Sequence, residues 1–391
     1  MISQVNFVWA CVSTFLILSS YYSTFFLAPF VESMGGTAGQ GGNVYSALIF
    51  TYLVSAPLTG LWCDKRSAKM PTLIGGILLA LGTISFSFFT VWHETMYALR
   101  LVQGVGMGMF MTGAFVYVAN VVPQERRGAL MGIYTALITL ASAVVTWLGE
   151  LALQTRSFQW LFLVAGVVGL VGVGFVLLTG EPEKKREAGG DQLSFKKAFG
   201  FIGVYRMPQL RALMAGVFAI GVCYGVLNTF ATSYARNIQL PSQIFFLAVA
   251  AITILSRVVI MPATDRVRRD AFVGPAFCVL AIAFLAFAAQ SGGATYTSYA
   301  MASALYAAGY GVVYPLLSAL VVDRAAPAVR GTALSAFNIA FMTGIHCMNG
   351  VFGYIAQNYG YSTYHVLLAG VAITGYLAYR VLDRQRILEL R

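Results

Sequence analysis

Twelve apolar runs, each close to the length of a membrane-crossing helix, leave this chain one kind of fold. They fall at about 6–31, 42–62, 70–91, 95–120, 127–153, 158–179, 209–235, 242–264, 271–290, 295–322, 330–356 and 361–382. A helix needs roughly 20 apolar residues to cross the hydrocarbon of a bilayer. Within lipid every backbone N–H and C=O must find a partner inside the protein, so only helices and closed barrels can span it. Barrel strands are about half as long as these runs and alternate in polarity, so the runs are predicted to be helices. With 59% hydrophobic and 10% charged residues in 391, water cannot be the main solvent of such a chain. The first run is too long for a secretory signal core and is followed by no small-residue cleavage pattern, so it is read as a retained helix.

The net charge of +11 suggests nucleic acid until the cations are placed on this topology. With a cytoplasmic N-terminus, only Arg156 and Arg236 fall in outside loops, and Arg100 and Arg257 fall within spans. Every other Lys and Arg lies in an inside loop or tail. This asymmetry predicts both termini on the cytoplasmic side and accounts for the basic charge without nucleic acid. The cysteines (Cys11, Cys63, Cys223, Cys278, Cys347) all lie in spans or at their ends, which fits small reduced residues rather than a disulfide framework.

One long polar segment, from about Glu181 to Pro208, divides the spans six and six. The expected domains are residues 1–180, a cytoplasmic linker 181–208, and residues 209–391. Part of the linker, Leu193 to Phe199, reads equally well as a surface-lying helix or a solvated connection. The halves repeat. Gly60-Leu61-Trp62-Cys63-Asp64-Lys65-Arg66-Ser67-Ala68-Lys69 returns as Met261-Pro262-Ala263-Thr264-Asp265-Arg266-Val267-Arg268-Arg269, and the segment from Pro123 to Leu130 returns as Pro327 to Leu334. Parallel six-span repeats with a midplane site between them form a transporter architecture.

With these motifs in place, the whole chain resembles the major facilitator superfamily of secondary transporters. Gly60, Asp64, Lys65 and Lys69 match the family's loop signature, with Ser67 replacing its second glycine. Its fourth-span signature, Arg-x-x-Gln-Gly-x-Gly, stands intact from Arg100 through Gln103 to Gly106. The fifth span lacks the Gly-Pro pair usual in drug-antiporter branches. The resemblance implies a loop that latches the cytoplasmic side, with Asp64 engaging Arg127 or the start of span eleven around Arg330. Asp265 would engage Arg257 or the start of span five. The plainer alternative is that these charges only enforce topology.

Inside the spans, a guanidinium is costly unless paired or hydrated, so Arg100 should face the transport path. Glu150 falls at a comparable depth and is either a proton carrier tuned by Arg100 or half of a structural pair. The remaining acids fall in loops or at helix ends, so span one is expected to lack a buried carboxylate and His346 is the other titratable candidate. The resemblance implies that Tyr22 and Phe26 in span one, Tyr224 and Asn228 in span seven, and Tyr306 and Tyr310 in span ten lie in the helices around the central cavity and line it, with helix packing as the alternative. Tyr306, Tyr310 and Tyr314 recur every four residues on one face. Asn338, Met342 and His346 do the same in span eleven, where soft ligands would suit Cu(I).

No hydrolase elbow, phosphate loop or zincin motif occurs, so no enzyme, cofactor or resident metal is expected. The chain is read as an all-α membrane protein with twelve helices in two six-helix bundles. It would act as a monomer in a bacterial cytoplasmic (inner) membrane. It would move a small organic solute, anionic or zwitterionic in one reading, by alternating access, with proton coupling left open. The alternatives are a drug or metallophore exporter and a copper transporter.

Overall fold

The computed structural model describes residues 2–123, 126–181, 199–256, 269–326 and 329–389. The helices, in order, are α1 (Ile2–Tyr22), a 3-10 turn (Ser23–Phe26), α2 (Leu27–Ser33), α3 (Ala38–Lys65), α4 (Lys69–Phe86), α5 (Thr95–Val121), α6 (Arg127–Leu153) and α7 (Phe158–Leu178). They continue as α8 (Phe201–Val204), α9 (Pro208–Asn237), α10 (Gln243–Leu255), α11 (Asp270–Ala288), a 3-10 turn (Ala289–Gly292), α12 (Tyr296–Arg324), α13 (Arg330–Cys347) and α14 (Asn349–Glu389). No strand occurs among the described residues.

Ten described segments are long and apolar enough to cross a membrane, and the last, Arg330–Gln385, holds both final spans. The two are separated at Gly360, whose φ of 79° and ψ of 165° lie where a side chain would clash with the backbone. Span eight begins as α10, and its predicted second half lies outside the described residues. Span one differs from the sequence reading. Its helical path runs unbroken from Gln4 to Ser33 through the 3-10 turn, so Glu32 lies inside the span, not in the loop after it.

Local chemistry explains these elements. Ser157 caps α7 by accepting the Trp160 N–H at 3.2 Å. Thr295 and Ser298 form a reciprocal capping box at the start of α12, satisfying N–H groups that a helix start leaves open. Hydroxyls buried within spans return their protons to the backbone one turn back: Thr83 to the Leu79 carbonyl at 3.0 Å, Thr229 to Gly225 at 2.7 Å and Ser303 to Tyr299 at 2.7 Å. Such bonds let polar side chains sit in an apolar medium. Leu163, Val167, Val171 and Leu177 of α7 are exposed large apolar residues, as expected where lipid is the solvent.

The chain forms two compact units. One holds residues up to Phe30 and from Ala47 to Phe199; the other holds Val31–Ser46 and everything from Gly200 on. In the first, α1 packs on α4, α6 and α7, and α4 packs on α5 and α7. In the second, α9 packs on α12, α13 and α14, and α11 packs on α12 and α14. Counted by span, the pairings one–six, one–five, three–four and three–six return as seven–twelve, seven–eleven, nine–ten and nine–twelve. The sequence repeat is therefore a repeat of packing.

Candidate functional site: a clamped arginine and a tyrosine stair

Arg100 is completely buried on α5. Its Nη1 donates to Gln103 Oε1 at 2.8 Å, since residues three apart share a helix face. Gln103 Nε2 donates onward to Thr83 Oγ1 at 3.1 Å and to the Leu79 carbonyl at 3.4 Å on α4. The guanidinium carbon lies 5.9 Å from the centroid of the Tyr21 ring on α1, within reach of a cation–π attraction. Gly104 completes the motif by letting α5 seat on α3. A Cβ there would collide with the Leu48 carbonyl oxygen, and Thr51 Oγ1 crosses the same seam to the Leu101 carbonyl at 2.6 Å. Arg100 thus supplies the charge, Gln103 clamps it and Gly104 permits the close approach. Glu150 is half-buried on α6. Tyr22 is half-buried and stacks on Phe25 at 5.6 Å, while Phe26 is fully buried.

The described cations of the loop motif bond within their own units. Lys69 Nζ donates to the Leu177 carbonyl at 3.0 Å and the Thr179 carbonyl at 2.5 Å. It therefore caps the C-terminal, partially negative end of α7 within its own unit. Tyr117 OH donates to the Gly180 carbonyl at 2.7 Å, and the Gly180 N–H donates to Asn6 Oδ1 at 2.9 Å. Lys65 is exposed, and a Cβ on Gly60 would meet nothing within 4 Å. Arg330 Nε donates to the Ala325 carbonyl at 3.3 Å, closing the turn between α12 and α13. Arg257 and Asp265 lie outside the described residues, as do the side chains of Asp64 and Arg127.

In the second unit the predicted aromatic residues come together. Tyr306, Tyr310 and Tyr314 of α12 form a stair of near-parallel rings, 6.0 and 6.2 Å apart at 9° and 28°. Tyr224 of α9 stacks on Tyr310 at 4.8 Å. Phe341 of α13 lies 4.5 Å from Tyr314 and 5.9 Å from Tyr224. Amides mark both ends of the stair. Asn228 Nδ2 donates to the Tyr224 carbonyl at 2.8 Å and reaches Tyr306 OH at 3.4 Å. Tyr314 OH donates to Asn338 Oδ1 at 3.4 Å. Burial falls along the stair: Tyr306 is 0% exposed, Tyr310 and Tyr314 are half-buried, and Asn338 is exposed. Together they offer stacking faces and neutral hydrogen-bonding groups.

Of the span-eleven trio, only Asn338 joins the stair. Met342 is half-buried. His346 is buried against Tyr45, its ring stacked at 4.9 Å and its Nδ1 3.2 Å from the Tyr45 carbonyl. Among the described residues no group of three or more His, Cys, Asp or Glu side chains is placed to hold a metal.

Two clusters escaped the sequence reading. Arg324 at the end of α12 pairs with Asp270 at 2.5 Å and Asp383 at 2.7 Å, and reaches Tyr379 OH at 3.3 Å. It ties the corresponding ends of α11, α12 and α14, as Lys69 and Tyr117 tie α4, α5 and α7. The repeat carried a signal: Lys69 and Asp270 are 201 residues apart, as Asp64 and Asp265 are, and Gly180 and Asp383 are 203 apart, as Gly128 and Gly331 are. The second cluster is Glu32 with Ser233, whose separation is again 201. Outside the spans, Tyr205 donates to the Ala336 carbonyl at 2.9 Å, and burial pushes its phenol up to about 12.

Known proteins share both the sequence pattern and the fold. A family model described as Major Facilitator Superfamily matches residues 10–346. Multidrug resistance protein 1 of Bacillus subtilis (strain 168) is 22% identical over 169 residues, 42% of this chain and 43% of that protein. The vesicular acetylcholine transporter of Rattus norvegicus is 28% identical over 143 residues, 36% of this chain and 27% of that protein. The chain thus matches less than half the length of these curated relatives. A solved structure of a mutant nucleoside transporter NupG is similar with a TM-score of 0.81 at 16% identity, covering 96% of this chain and 99% of that one. That likeness speaks to the fold.

Proposed function

The chain belongs to the major facilitator superfamily, and from that premise we propose that it moves a small, ring-bearing organic solute across the membrane by alternating access. The observation that carries this reading is the tyrosine stair. Tyr310, Tyr314 and Tyr224 present stacked faces, and Asn228 and Asn338 offer amides at its two ends. A planar solute gains dispersion and quadrupole attraction from such rings, and an amide selects its orientation. The relatives that carry the names of nucleoside and multidrug transport support a ring-bearing solute and leave export as well placed as import.

An anionic or zwitterionic solute is the second reading, and it rests on Arg100. Because that guanidinium is buried and clamped by Gln103, it serves an anion only in a state that frees it. The charge asymmetry of the loops supports cytoplasmic termini, and the bacterial relative supports a cytoplasmic membrane as the location. We take the protein to act as a monomer.

The test is a thermal-shift screen of the purified protein against nucleobases, nucleosides, aromatic cations and organic anions, followed by flux of any hit in proteoliposomes. Stabilisation by ring-bearing compounds that persists in Tyr310→Phe and is lost in Tyr310→Ala supports the stair as the site. Stabilisation confined to non-aromatic anions, with Tyr310→Ala behaving as the parent, sinks it.

A further inference from the structure

We propose that the end of the first unit where Lys69 sits carries a binding site for one water molecule, which Lys69 anchors and which joins α1 to the clasp that Lys69 and Tyr117 make at the end of α7. A small cavity lies among α1, α4, α5 and the end of α7, lined by Ser13, Thr14, Lys69, Thr72, Tyr117 and Thr179. All of these are buried except Lys69, which is half-buried. The cavity's volume is about 10 Å³. A single water needs about 10–15 Å³, so the space suits one water and nothing much larger.

The identity of the occupant follows from where the protons go. Ser13 Oγ donates to the Ala10 carbonyl at 3.0 Å, Thr72 Oγ1 to Ala68 at 2.8 Å and Thr179 Oγ1 to Val176 at 2.7 Å. Tyr117 OH spends its proton on the Gly180 carbonyl. Thr14 Oγ1 shares a hydrogen bond with Tyr134 OH at 3.1 Å. A hydroxyl has one proton and two lone pairs, so this wall offers many acceptors and almost no donors. Lys69 is the exception. Its ammonium has three protons; two go to the Leu177 and Thr179 carbonyls, and no third acceptor occurs among the described residues. An anion would gain one N–H and face a ring of oxygen lone pairs, and a metal cation would face the ammonium. Water accepts from Lys69 and returns its own two protons to hydroxyl oxygens. That meets the usual complement of about three hydrogen bonds for a buried water and spares the cost of an unbonded buried donor.

The internal repeat supports the same reading. Asp270 stands 201 residues after Lys69, Arg324 stands 203 after Val121, and Tyr379 stands 203 after Val176. In the second unit the Arg324 guanidinium reaches Asp270 and Tyr379 directly from the end of α12. In the first unit the same place at the end of α5 is Val121, which brings no side-chain donor, and the hydroxyls of the wall have turned their protons elsewhere. Water supplies the missing bridge, so that one molecule joins four elements.

A crystal structure of the full-length protein, grown with bromide in place of chloride and resolved well enough to show ordered waters, tests this. A peak should lie within hydrogen-bond distance of Lys69 Nζ and of at least one wall hydroxyl, with no anomalous bromide signal there. Radiolytic hydroxyl-radical labelling gives a second readout, because a bound water generates the radical beside the residue it touches. Tyr117, only 3% exposed, should be labelled in the parent and at least several-fold more slowly in Ala114→Val, whose added methyl groups occupy the cavity that Ala114 lines. The proposal is overturned if the peak is bromide, if the site has no density, or if Ala114→Val, with a melting temperature near the parent's, labels Tyr117 as fast as the parent does. Should Ala114→Val not fold, the density decides.

Discussion

Arg100 shows how one buried charge is kept at the residue scale. Its Nη1 and the Gln103 carbonyl oxygen form a hydrogen bond to a charged group, and Gln103 is anchored in turn on Thr83. Gln103→Ala should lower stability by about 1–3 kcal/mol, the cost of leaving a buried polar group without its partner. Gln103→Glu should retain most of it, and unfolding in detergent, followed by the loss of native fluorescence, measures both. Lys69→Met should lower the melting temperature more than Lys69→Arg, because arginine still donates to the carbonyls at the end of α7 and opposes its partial negative charge, while methionine does neither. The Arg-x-x-Gln spacing was legible in the sequence, but the expected partner of Arg100 was Glu150, and the bond that Gln103 makes to Arg100 on the same helix was not foreseen. The role of Lys69 was not legible, because it acts on backbone oxygens more than a hundred residues distant, and carbonyls carry no signature of residue type.

At the scale of elements, one arginine fastens three helices. Arg324 lies between Asp270 of α11 and Asp383 of α14. Arg324→Met would leave two carboxylates facing each other, so it should destabilise the second unit by about 3–5 kcal/mol. Removing all three charges together should cost much less, and denaturant titration of the single and triple variants distinguishes these outcomes. The surface pair Arg269–Asp323, 2.6 Å apart but half-exposed, should contribute at most about 1 kcal/mol. Helix existence was legible throughout because lipid enforces long apolar runs. Helix ends were less so, as α2 shows by carrying Glu32 into span one. Which face of α12 is functional was not legible either, since tyrosines at a spacing of four pack or line a cavity with the same pattern.

The whole molecule uses one packing plan twice and fastens it by different chemistry. Backbone carbonyls, a lysine and a tyrosine close the first unit, while an arginine between two aspartates closes the second. Gln103→Ala and Arg324→Met share no partner, so their effects on stability should add within about 0.5 kcal/mol. A clear departure from additivity in the double variant would mean that the two sites are energetically coupled. Flux is the other property of the whole. Asp64→Asn should abolish transport of any solute found by the screen while leaving its binding intact, and unchanged flux would return the loop charges to topology alone.

The contact between Asn6 and Gly180 has a consequence for biosynthesis. The start of the first span is bonded to the residue that follows the sixth, so the first unit cannot close until its last helix has left the translocon. Chains arrested after span five would present Lys69, Tyr117 and Asn6 without their acceptors and donor. Such nascent chains should be prime substrates for membrane quality-control proteases. Release from that surveillance should come abruptly, when Gly180 emerges from the ribosome-bound channel.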